Sequence, residues 1–364
     1  MHVLFFKKKY QNLLIFILII LLIAAFGSSF FIVEFQKFEK EISEISQAQV
    51  LISFKKPPSE ITLFFVGDIM LNRGVEWSIN KYGKGDWKFP FLEIAEDLEK
   101  ADILFGNLES PISDKGSKVG SIYSFRTNPK AIEGFNYAGF DILSVANNHI
   151  FDYGREAMED TFLRLREAGI DYVGGGFSEK EAYSPIIKEI NDIEIAFLAY
   201  TNLGSKNWEA TGKRSGISWL TEERLEEDIK KAKNQADLIV VSMHFGEEYK
   251  SQPTSEQKYF ARLAIDTGAD LIIGHHPHVV QEIERYKDGY IAYSLGNFIF
   301  DQGFSKETMQ GLMLKVVIED GKIRTVRSKV PQNLDSSFRA ELKEVIPIEI
   351  RINQFFQPRL EITD

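Results

Sequence analysis

Residues 271–280 read LIIGHHPHVV and place three histidines in four positions directly after an apolar run. A continuous apolar run of this kind predicts a strand that is buried on both faces. Three imidazoles on one short loop leave little room for a packing role, and imidazole nitrogen is a common ligand of divalent transition metals. His275, His276 and His278 are therefore candidate metal ligands at the end of a buried strand.

The same pattern recurs elsewhere in the chain, where an apolar run ends in a small residue and then a polar side chain that could bind a metal. These runs are ITLFFVGD (Asp68), ADILFGNLE (Asn107 and Glu109), FDILSVANNH (Asn148 and His149), ADLIVVSMH (His244) and YIAYSLGN (Asn297). Helix-like segments lie between several of them, at residues 90–101, 156–168, 220–235 and 255–268. Strands that alternate with helices predict a layered α/β fold, in which the polar ends of the strands converge.

Antiparallel elements are also indicated. Residues 185–200 read as two strands around Asn191-Asp192, and residues 312–328 read as a hairpin that turns at Asp320-Gly321. Residues 345–352, VIPIEIRI, add another strand. A second sheet or a mixed sheet edge is therefore expected.

The overall charge and the cysteine count exclude several classes of protein. The formal net charge is −10, and the folded region has no basic patch comparable to those with which nucleic-acid binders neutralise phosphates. Cysteine is absent, which excludes disulfides, thiolate metal sites and a cysteine nucleophile. No G-x-S-x-G motif is present, so a serine hydrolase is not indicated.

The N-terminal residues predict a membrane anchor. Three lysines at positions 7–9 precede an uncharged apolar run at residues 13–33, which is long enough to span a hydrocarbon core as a helix. Residues 1–12 are then a basic cytoplasmic tail, residues 34–59 a stalk, and the rest of the chain extracytoplasmic, by the positive-inside rule. A cleaved signal peptide is the alternative, since Ala25-Phe26-Gly27 offers small residues, but the apolar run continues to Val33.

The polar strand ends form a ligand set of nitrogen and oxygen donors. Neutral imidazole and carboxylate suit zinc, manganese or iron, and a metal that activates water points to hydrolysis, with a spare histidine to protonate the leaving group. Each residue also has a simpler interpretation. His244 alone could be a hydrogen-bonded structural histidine, Asn147 and Asn148 could stabilise a turn, and the glycines at 174–176 fit a flexible turn.

Six segments in this order resemble the CapA family of bacterial capsule and poly-γ-glutamate synthesis proteins. They are VGDIMLNRG, FGNLESPI, FDILSVANNHIFDYG, SMHFGEEY, IIGHHPHVVQEIE and YSLGNFIFDQ, between about residues 62 and 302. That family is in turn similar to the calcineurin-like metallophosphoesterases. The resemblance implies a four-layer α/β/β/α sandwich over residues 60–330, with two metals at the strand ends and residues 331–364 as a strand extension of the same domain.

The resemblance also implies individual roles. Asp68 corresponds to the metal ligand on the first strand, Asn148 to the metal-binding asparagine and His149 to the catalytic histidine beside it. His244 corresponds to an isolated histidine ligand. The GHHPH loop corresponds to the last histidine block, and its register leaves all three histidines as candidates.

Two departures from the phosphoesterase pattern concern the metal ligands. Asp68-Ile69-Met70 lacks the histidine of the Asp-x-His motif, and Asn107 stands where that pattern has a bridging aspartate. A neutral amide bridges two cations poorly because it brings no charge to offset their repulsion. Glu109 is the alternative carboxylate.

These observations predict a membrane-anchored, extracytoplasmic hydrolase or transferase that uses one or two divalent ions (manganese, zinc or iron). The expected substrate is an anionic polymer or a phosphoester, with other membrane subunits of a synthase or export complex as partners. Arg73 and Arg126 are candidate anion-binding residues. A non-catalytic scaffold subunit and a surface phosphodiesterase or nucleotidase are the alternatives.

Overall fold

A computed structural model describes residues 60–319 and 341–361, together with the isolated positions 18, 37 and 40. All the strands and helices described below lie in the compact unit Pro58–Asp364. The predicted hairpin turn at residues 320–321 lies outside the described residues, and so does nearly all of the predicted membrane segment and stalk. Within the part of the chain that is described, no helix is long and apolar enough to cross a membrane.

Strands and helices alternate through much of this unit. The strands in the described residues are β1 (Glu60–Ile69), β2 (Ile103–Leu108), β3 (Ile142–Ser144), β4 (Asp171–Val173), β5 (Gly175–Gly176), β6 (Ile186–Ile190), β7 (Ile193–Thr201), β8 (Gly216–Ile217), β9 (Leu238–His244), β10 (Leu271–His275), β11 (Ile283–Tyr286), β12 (Gly289–Ala292), β13 (Asn297–Ile299), β14 (Gln310–Glu319), β15 (Glu341–Ile352) and β16 (Pro358–Leu360). The α-helices are α1 (Arg73–Lys81), α2 (Ala95–Leu98), α3 (Ala131–Ala138), α4 (Gly154–Glu167), α5 (Glu179–Ala182), α6 (Glu222–Ala232) and α7 (Ser255–Thr267).

The strands form two mixed sheets and a short ribbon. The first sheet has the order β16-β15-β14-β1-β2-β3-β4, with β13 also paired to β1, and the second has the order β11-β12-β10-β9-β7-β6. Strands β1 to β4 are parallel, as are β7, β9, β10 and β12, while β14, β15, β16, β6 and β11 pair antiparallel. The predicted mixed α/β architecture, including the hairpin at Asn191-Asp192 and the strand at 345–352, is confirmed.

Apolar side chains fill the space on both faces of each sheet. Along β1, Leu63 and Phe65 belong to the core between the two sheets, whereas Phe64 and Val66 belong to the core beneath α1, α3 and α4. The outer face of the second sheet packs against α6 and α7. Successive strand residues point to opposite faces, so burial on both faces explains why these strands read as continuous apolar runs.

Polar residues at the ends of the helices fix where they begin and stop. Thr254 and Gln257 form a capping box at the start of α7, and Gly268 follows its last residue. Thr221 caps α6 by accepting a hydrogen bond from the backbone of Arg224. These residues orient the two helices that cover the second sheet.

Two segments differ from their predicted structure. Residues 90–101 contain only the end of a short 3₁₀ helix, Phe89–Phe91, and the four-residue helix α2 in place of one continuous helix. The glycines at 174–176 are not a flexible turn. A Cβ on Gly174 would lie 2.7 Å from Ala146 Cβ and 2.8 Å from Ala199 Cβ, so glycine here permits close packing between the two sheets.

The aromatic contact between the sheets gives the first prediction. Phe105 from β2 stacks on Phe197 from β7 with ring centroids 5.9 Å apart, and both are fully buried. Phe105→Ala should lower the free energy of unfolding by about 3–5 kcal/mol in urea titrations, because it leaves a cavity at the centre of the core. Leu163→Ala, on the exposed side of α4, is the control and should change it by roughly 0.5 kcal/mol or less. Equal losses in the two variants would contradict this packing.

Candidate metal centre

The parallel pairing of strands brings the polar strand ends to one place. Asp68 pairs with Asn107 across β1 and β2 and with Asn297 across β1 and β13, and His275 pairs with His244 across β10 and β9. Parallel strands end on the same edge, so each sheet presents a row of polar side chains there. The two rows meet where the backbone N–H of His276 donates to Asp68 Oδ2 at 3.2 Å.

Asp68 is fully buried among imidazoles. Its Oδ1 lies 3.2 Å from His275 Nδ1, and its Oδ2 lies 3.3 Å from His278 Nδ1. Burial alone would raise the pKa of the Asp68 carboxyl group, but these two histidines outweigh that effect and hold the pKa well below its usual range. Asp68 is therefore an anion in the interior of the protein.

Glu109 is the second fully buried carboxyl group. Its Oε1 lies 3.5 Å from His278 Nε2 and 3.9 Å from His149 Nε2. Burial raises the pKa of Glu109 well above its usual range, and the negative charge of Asp68 raises it further. In the absence of a compensating positive charge, the two carboxyl groups therefore resist being ionised together.

Two further histidines are buried in neutral form. Burial lowers the pKa of His244 well below its usual value, and the neighbouring His276 lowers this pKa further. Burial and His278 lower the pKa of His276 to about 3. Their rings lie 4.9 Å apart. Neutral imidazole is the form that binds metal ions.

The side chains fit a divalent cation. Two overlapping groups have ligand atoms within 4.8 Å of one another: Glu109 with His276 and His278, and Asp68 with Glu109 and His244. Within residues 60–319 and 341–361, buried atoms at this site without a hydrogen-bond partner are Glu109 Oε1, His276 Nδ1 and both ring nitrogens of His275. His275 Nδ1 is near Asp68 but lacks hydrogen-bond geometry. Unpartnered buried polar atoms are costly unless an ion or a buried water satisfies them, and this donor set of imidazoles and carboxylates suits an ion.

His149 forms a pair with Asp152. Its Nδ1 donates to Asp152 Oδ2 at 2.8 Å, and the same oxygen accepts the backbone N–H of Phe125 at 2.7 Å. The carboxylate fixes the ring orientation and keeps the proton on Nδ1, so Nε2 faces Glu109 with a free lone pair. This is the arrangement of an acid or base that is oriented by a third group.

Three asparagine side chains lie between the ligands. Asn148 Oδ1 accepts a hydrogen bond from His244 Nε2 at 2.8 Å. Asn107, expected as a metal ligand, directs its amide nitrogen towards Asp68, Glu109 and His244, while its oxygen accepts from Asn147 Nδ2 at 3.2 Å. An amide N–H is a donor, so in this orientation Asn107 supports the candidate ligands without being one.

The two arginines differ in their partners. Arg73 forms an ion pair with Asp301, and its guanidinium lies 4.5 Å from the ring centroid of Phe125. Arg126 lies 4.2 Å from the ring centroid of Tyr153 and donates to the backbone carbonyl of Lys115 at 3.0 Å. Among the described residues Arg126 forms no ion pair, so its charge is the more available for an anion.

The histidine loop contains two residues with an unfavourable backbone conformation. His276 and His278 have φ values of 95° and 57°, in the region that favours glycine. Such strain persists only where the surrounding structure enforces it, and it is concentrated at functional sites. Here the buried contacts of the loop with Asp68 provide that enforcement.

Asp152 is not among the site residues that the sequence predicts, Asn147 is predicted only as a turn residue and Asn297 only as a polar strand end. Asn297 Oδ1 accepts a hydrogen bond from His278 Nδ1 at 3.0 Å, which leaves His278 Nε2 free on the Glu109 side. Asn297 was visible as a polar strand end. The sequence also indicates Asp152 as a possible partner of His149, because it lies three residues after that histidine in NNHIFD.

Comparison with known proteins identifies the family. The profile described as "Bacterial capsule synthesis protein PGA_cap" matches residues 62–302, which carry every candidate ligand. The chain belongs to this family. Its assignment as a CapA-like protein is therefore confirmed.

Two relatives and one solved structure are similar to this PGA_cap protein. The chain is 35% identical over 283 residues to "Capsule biosynthesis protein CapA" of Bacillus anthracis, covering 76% of this chain and 68% of the relative. It is 36% identical over 245 residues to "PGA biosynthesis protein CapA" of Bacillus subtilis, covering 66% and 64%. A phosphatase structure from Mycoplasma pneumoniae is 16% identical with a TM-score of 0.44, covering 82% of this chain and 96% of that one.

Gly274 gives a prediction for the loop. A Cβ at this position would lie 1.9 Å from the carbonyl oxygen of Tyr293, so no side chain fits between β10 and its neighbour. Gly274→Ala should lower the free energy of unfolding by about 1–3 kcal/mol, because the histidine loop must move. Gly303→Ala, where the nearest atom would be Met309 Sδ at 3.9 Å, is the matched control and should change it little. Urea titrations that give the same midpoint for both variants would contradict this constraint.

Proposed function

We propose that this PGA_cap protein is a membrane-anchored, extracytoplasmic hydrolase or transferase that depends on divalent metal. It would act on a phosphoester or amide bond during the synthesis, export or attachment of an anionic surface polymer such as poly-γ-glutamate or capsule. The observation that carries this proposal is the His149-Asp152 pair placed beside a buried cluster with unpartnered ligand atoms. Similarity to two proteins named for capsule and PGA biosynthesis supports the choice of polymer.

The buried cluster supplies the metal ligands in this proposal. Glu109, His276 and His278 would hold a manganese, zinc or iron ion, with Asp68 and His275 as the further candidate ligands beside it. A bound divalent ion lowers the pKa of a coordinated water and polarises a phosphoryl or carbonyl oxygen. Asn297 orients the His278 ring through a hydrogen bond, as partners of metal-bound histidines commonly do.

His149 moves the proton in this proposal. Asp152 holds Nδ1, so Nε2 is the atom that takes a proton from water and gives one to the leaving oxygen or nitrogen. Water adds to the phosphorus or carbonyl carbon as the bond to the leaving group breaks, and the leaving group departs protonated. The ring of Phe125, with its centroid 4.3 Å from that of His149, packs against this imidazole and limits its movement.

Charge around the cluster indicates the side from which an anionic substrate approaches. Arg126 lies near Tyr153, in the loop that follows His149. Tyr249, whose ring centroid lies 6.0 Å from that of His278, also lines a cavity of about 550 Å³ whose charged lining residues are Glu307 and Glu349. Carboxylates repel a polyanion, so in this proposal the substrate avoids that cavity and Arg126 is the candidate residue that attracts it.

The same proposal includes a sandwich fold of the metallophosphoesterase type, a membrane anchor at residues 13–33 and association with other membrane subunits. The apolar run and the lysines before it support the anchor. A scaffold subunit without catalysis is the second candidate function, and the missing Asp-x-His histidine and Asn107 favour it. A surface phosphodiesterase or nucleotidase is the third.

Metal binding can be tested directly on the purified full chain. His278→Ala and Glu109→Gln should each lower the affinity for Mn²⁺ by at least 10-fold, because each removes a buried ligand atom. Asn297→Ala should weaken binding by roughly 10–100-fold through loss of ring orientation. His149→Ala is the control and should bind Mn²⁺ like the unmodified protein. Isothermal titration calorimetry gives the affinities, and equal affinities in all variants would reject this ligand set.

Turnover separates an enzyme from a scaffold. The Mn²⁺-loaded protein should hydrolyse at least one of three substrate classes: phosphodiesters, phosphomonoesters and γ-glutamyl amides. On that substrate, His149→Ala should lower kcat by roughly 10²–10⁴-fold. Asp152→Asn should lower kcat less, because the ring keeps a hydrogen-bond partner but loses the charge. If Mn²⁺ binds and no substrate of any class is turned over, the scaffold function replaces the catalytic one.

A further inference from the structure

The amide nitrogen of Asn107 lies at the centre of one of the two groups of candidate ligands. It is 2.8 Å from Asp68 Oδ1, 3.3 Å from Glu109 Oε2 and 3.3 Å from His244 Nδ1. These are the same three side chains that could together hold an ion in the second group. The NH₂ group therefore stands where that ion would be.

Backbone groups fix which end of the Asn107 amide faces inwards. Asn147 Oδ1 accepts the backbone N–H of His149 at 3.1 Å and of Ile150 at 3.0 Å. Asn147 Nδ2 is consequently the end that donates to Leu108 O at 2.8 Å and to Asn107 Oδ1 at 3.2 Å. With its oxygen engaged by Asn147, Asn107 can present only its nitrogen to the three ligand side chains.

The tautomer of His244 agrees with this orientation. Asn148 Oδ1 accepts a hydrogen bond from His244 Nε2, so the ring proton is on Nε2. His244 Nδ1 is then a lone pair that accepts the Asn107 N–H. Both ring nitrogens of His244 are thus satisfied by amides, with none left for an ion.

The other group of candidate ligands, Glu109, His276 and His278, still has ligand atoms without a hydrogen-bond partner. Glu109 Oε1 and His276 Nδ1 are buried and have no hydrogen-bond partner among the described residues. His278 Nδ1 is engaged by Asn297, which leaves its Nε2 lone pair 3.5 Å from Glu109 Oε1. Open ligand atoms therefore remain in the group of Glu109, His276 and His278, and on His275 beside Asp68. The space between Asp68, Glu109 and His244 is filled by the amide of Asn107.

We infer that Asn107, held nitrogen-inward by Asn147, takes the place of a second cation and restricts the centre to one divalent ion, bound by Glu109, His276 and His278. This inference rests on the proposed metal dependence. An amide nitrogen has no lone pair to offer a metal, and an ion in that group would need ligands at about 2.0–2.2 Å, a space that the NH₂ group occupies. Asn107 and Asn147 are positioning residues in this scheme.

The test counts ions in the purified full chain after removal of metal and reloading with Mn²⁺. The unmodified protein should bind one Mn²⁺ per chain and give the electron paramagnetic resonance spectrum of an isolated ion. Asn107→Asp should bind two, with the spectrum of an exchange-coupled pair, because a carboxylate oxygen replaces the N–H and bridges both groups. Asn147→Ala should admit a second, weaker ion, because the Asn107 amide is then free to turn its oxygen inwards.

Asn297→Asp is the matched control. Asn297 is as buried as Asn107 and also contacts a candidate ligand, but it lies outside the filled group. This variant adds the same charge, and its carboxylate oxygen can still accept the hydrogen bond from His278 Nδ1. Its affinity for Mn²⁺ is expected to change because Asn297 orients a candidate ligand, but the number of bound ions should stay at one. Two ions in Asn297→Asp would mean that the number of bound ions is set by the added charge and not by the position of Asn107.

The outcomes separate this inference from the proposed function. Two ions in the unmodified protein would overturn the inference and leave metal dependence intact. No ion in the unmodified protein would reject both. One ion in the unmodified protein and one in both Asn107→Asp and Asn147→Ala would overturn the role of the amide. The spectrum of the unmodified protein remains decisive even if a variant fails to fold.

Discussion

The burial of two carboxyl groups side by side is the constraint on which the site depends. Asp68 and Glu109 are both fully shielded from water. Removing an ionised carboxylate from water costs several kcal/mol even after relaxation, and a second one nearby adds repulsion. The surrounding imidazoles and the Asn107 N–H offset part of this cost, and the proposed cation would offset the rest. The polar cluster is tolerable inside the protein only as a complete set.

The fold provides that set by ending parallel strands at one edge. Each sheet contributes one row of polar ends, and the cores on both faces of the strands keep the rows in register. Close backbone approach is part of the same design, since Gly67 and Gly274 each face a carbonyl oxygen with no room for a side chain. A rigid apolar framework therefore holds a strained, polar loop at its edge.

Much of this could be read from the sequence because burial leaves a local signature. A strand buried on both faces must be apolar throughout, so the first polar residue after it marks the edge, as with Asp68 and His244. The role of Asn107 could not be read in this way, because it depends on Asn147, 40 residues away in the chain, which decides the end of the amide that faces inwards. Likewise the glycines at 174–176 look flexible until Ala146 and Ala199 approach them from two sheets.

Charge balance explains why a neutral side chain at position 107 suits this cluster. Asp68 and Glu109 together carry two negative charges when ionised, His244 and His276 are neutral, and asparagine adds none. One divalent cation brings these groups to neutrality. A second would leave two positive charges in a buried site unless a further anion entered with it, and repulsion between buried like charges is severe at short range. An aspartate at position 107 would partly supply that charge, whereas the amide nitrogen of Asn107 donates hydrogen bonds to both existing carboxylates. An asparagine at position 107 therefore keeps the number of carboxylates in this group at two, and their combined charge balances that of the single divalent ion proposed for the centre.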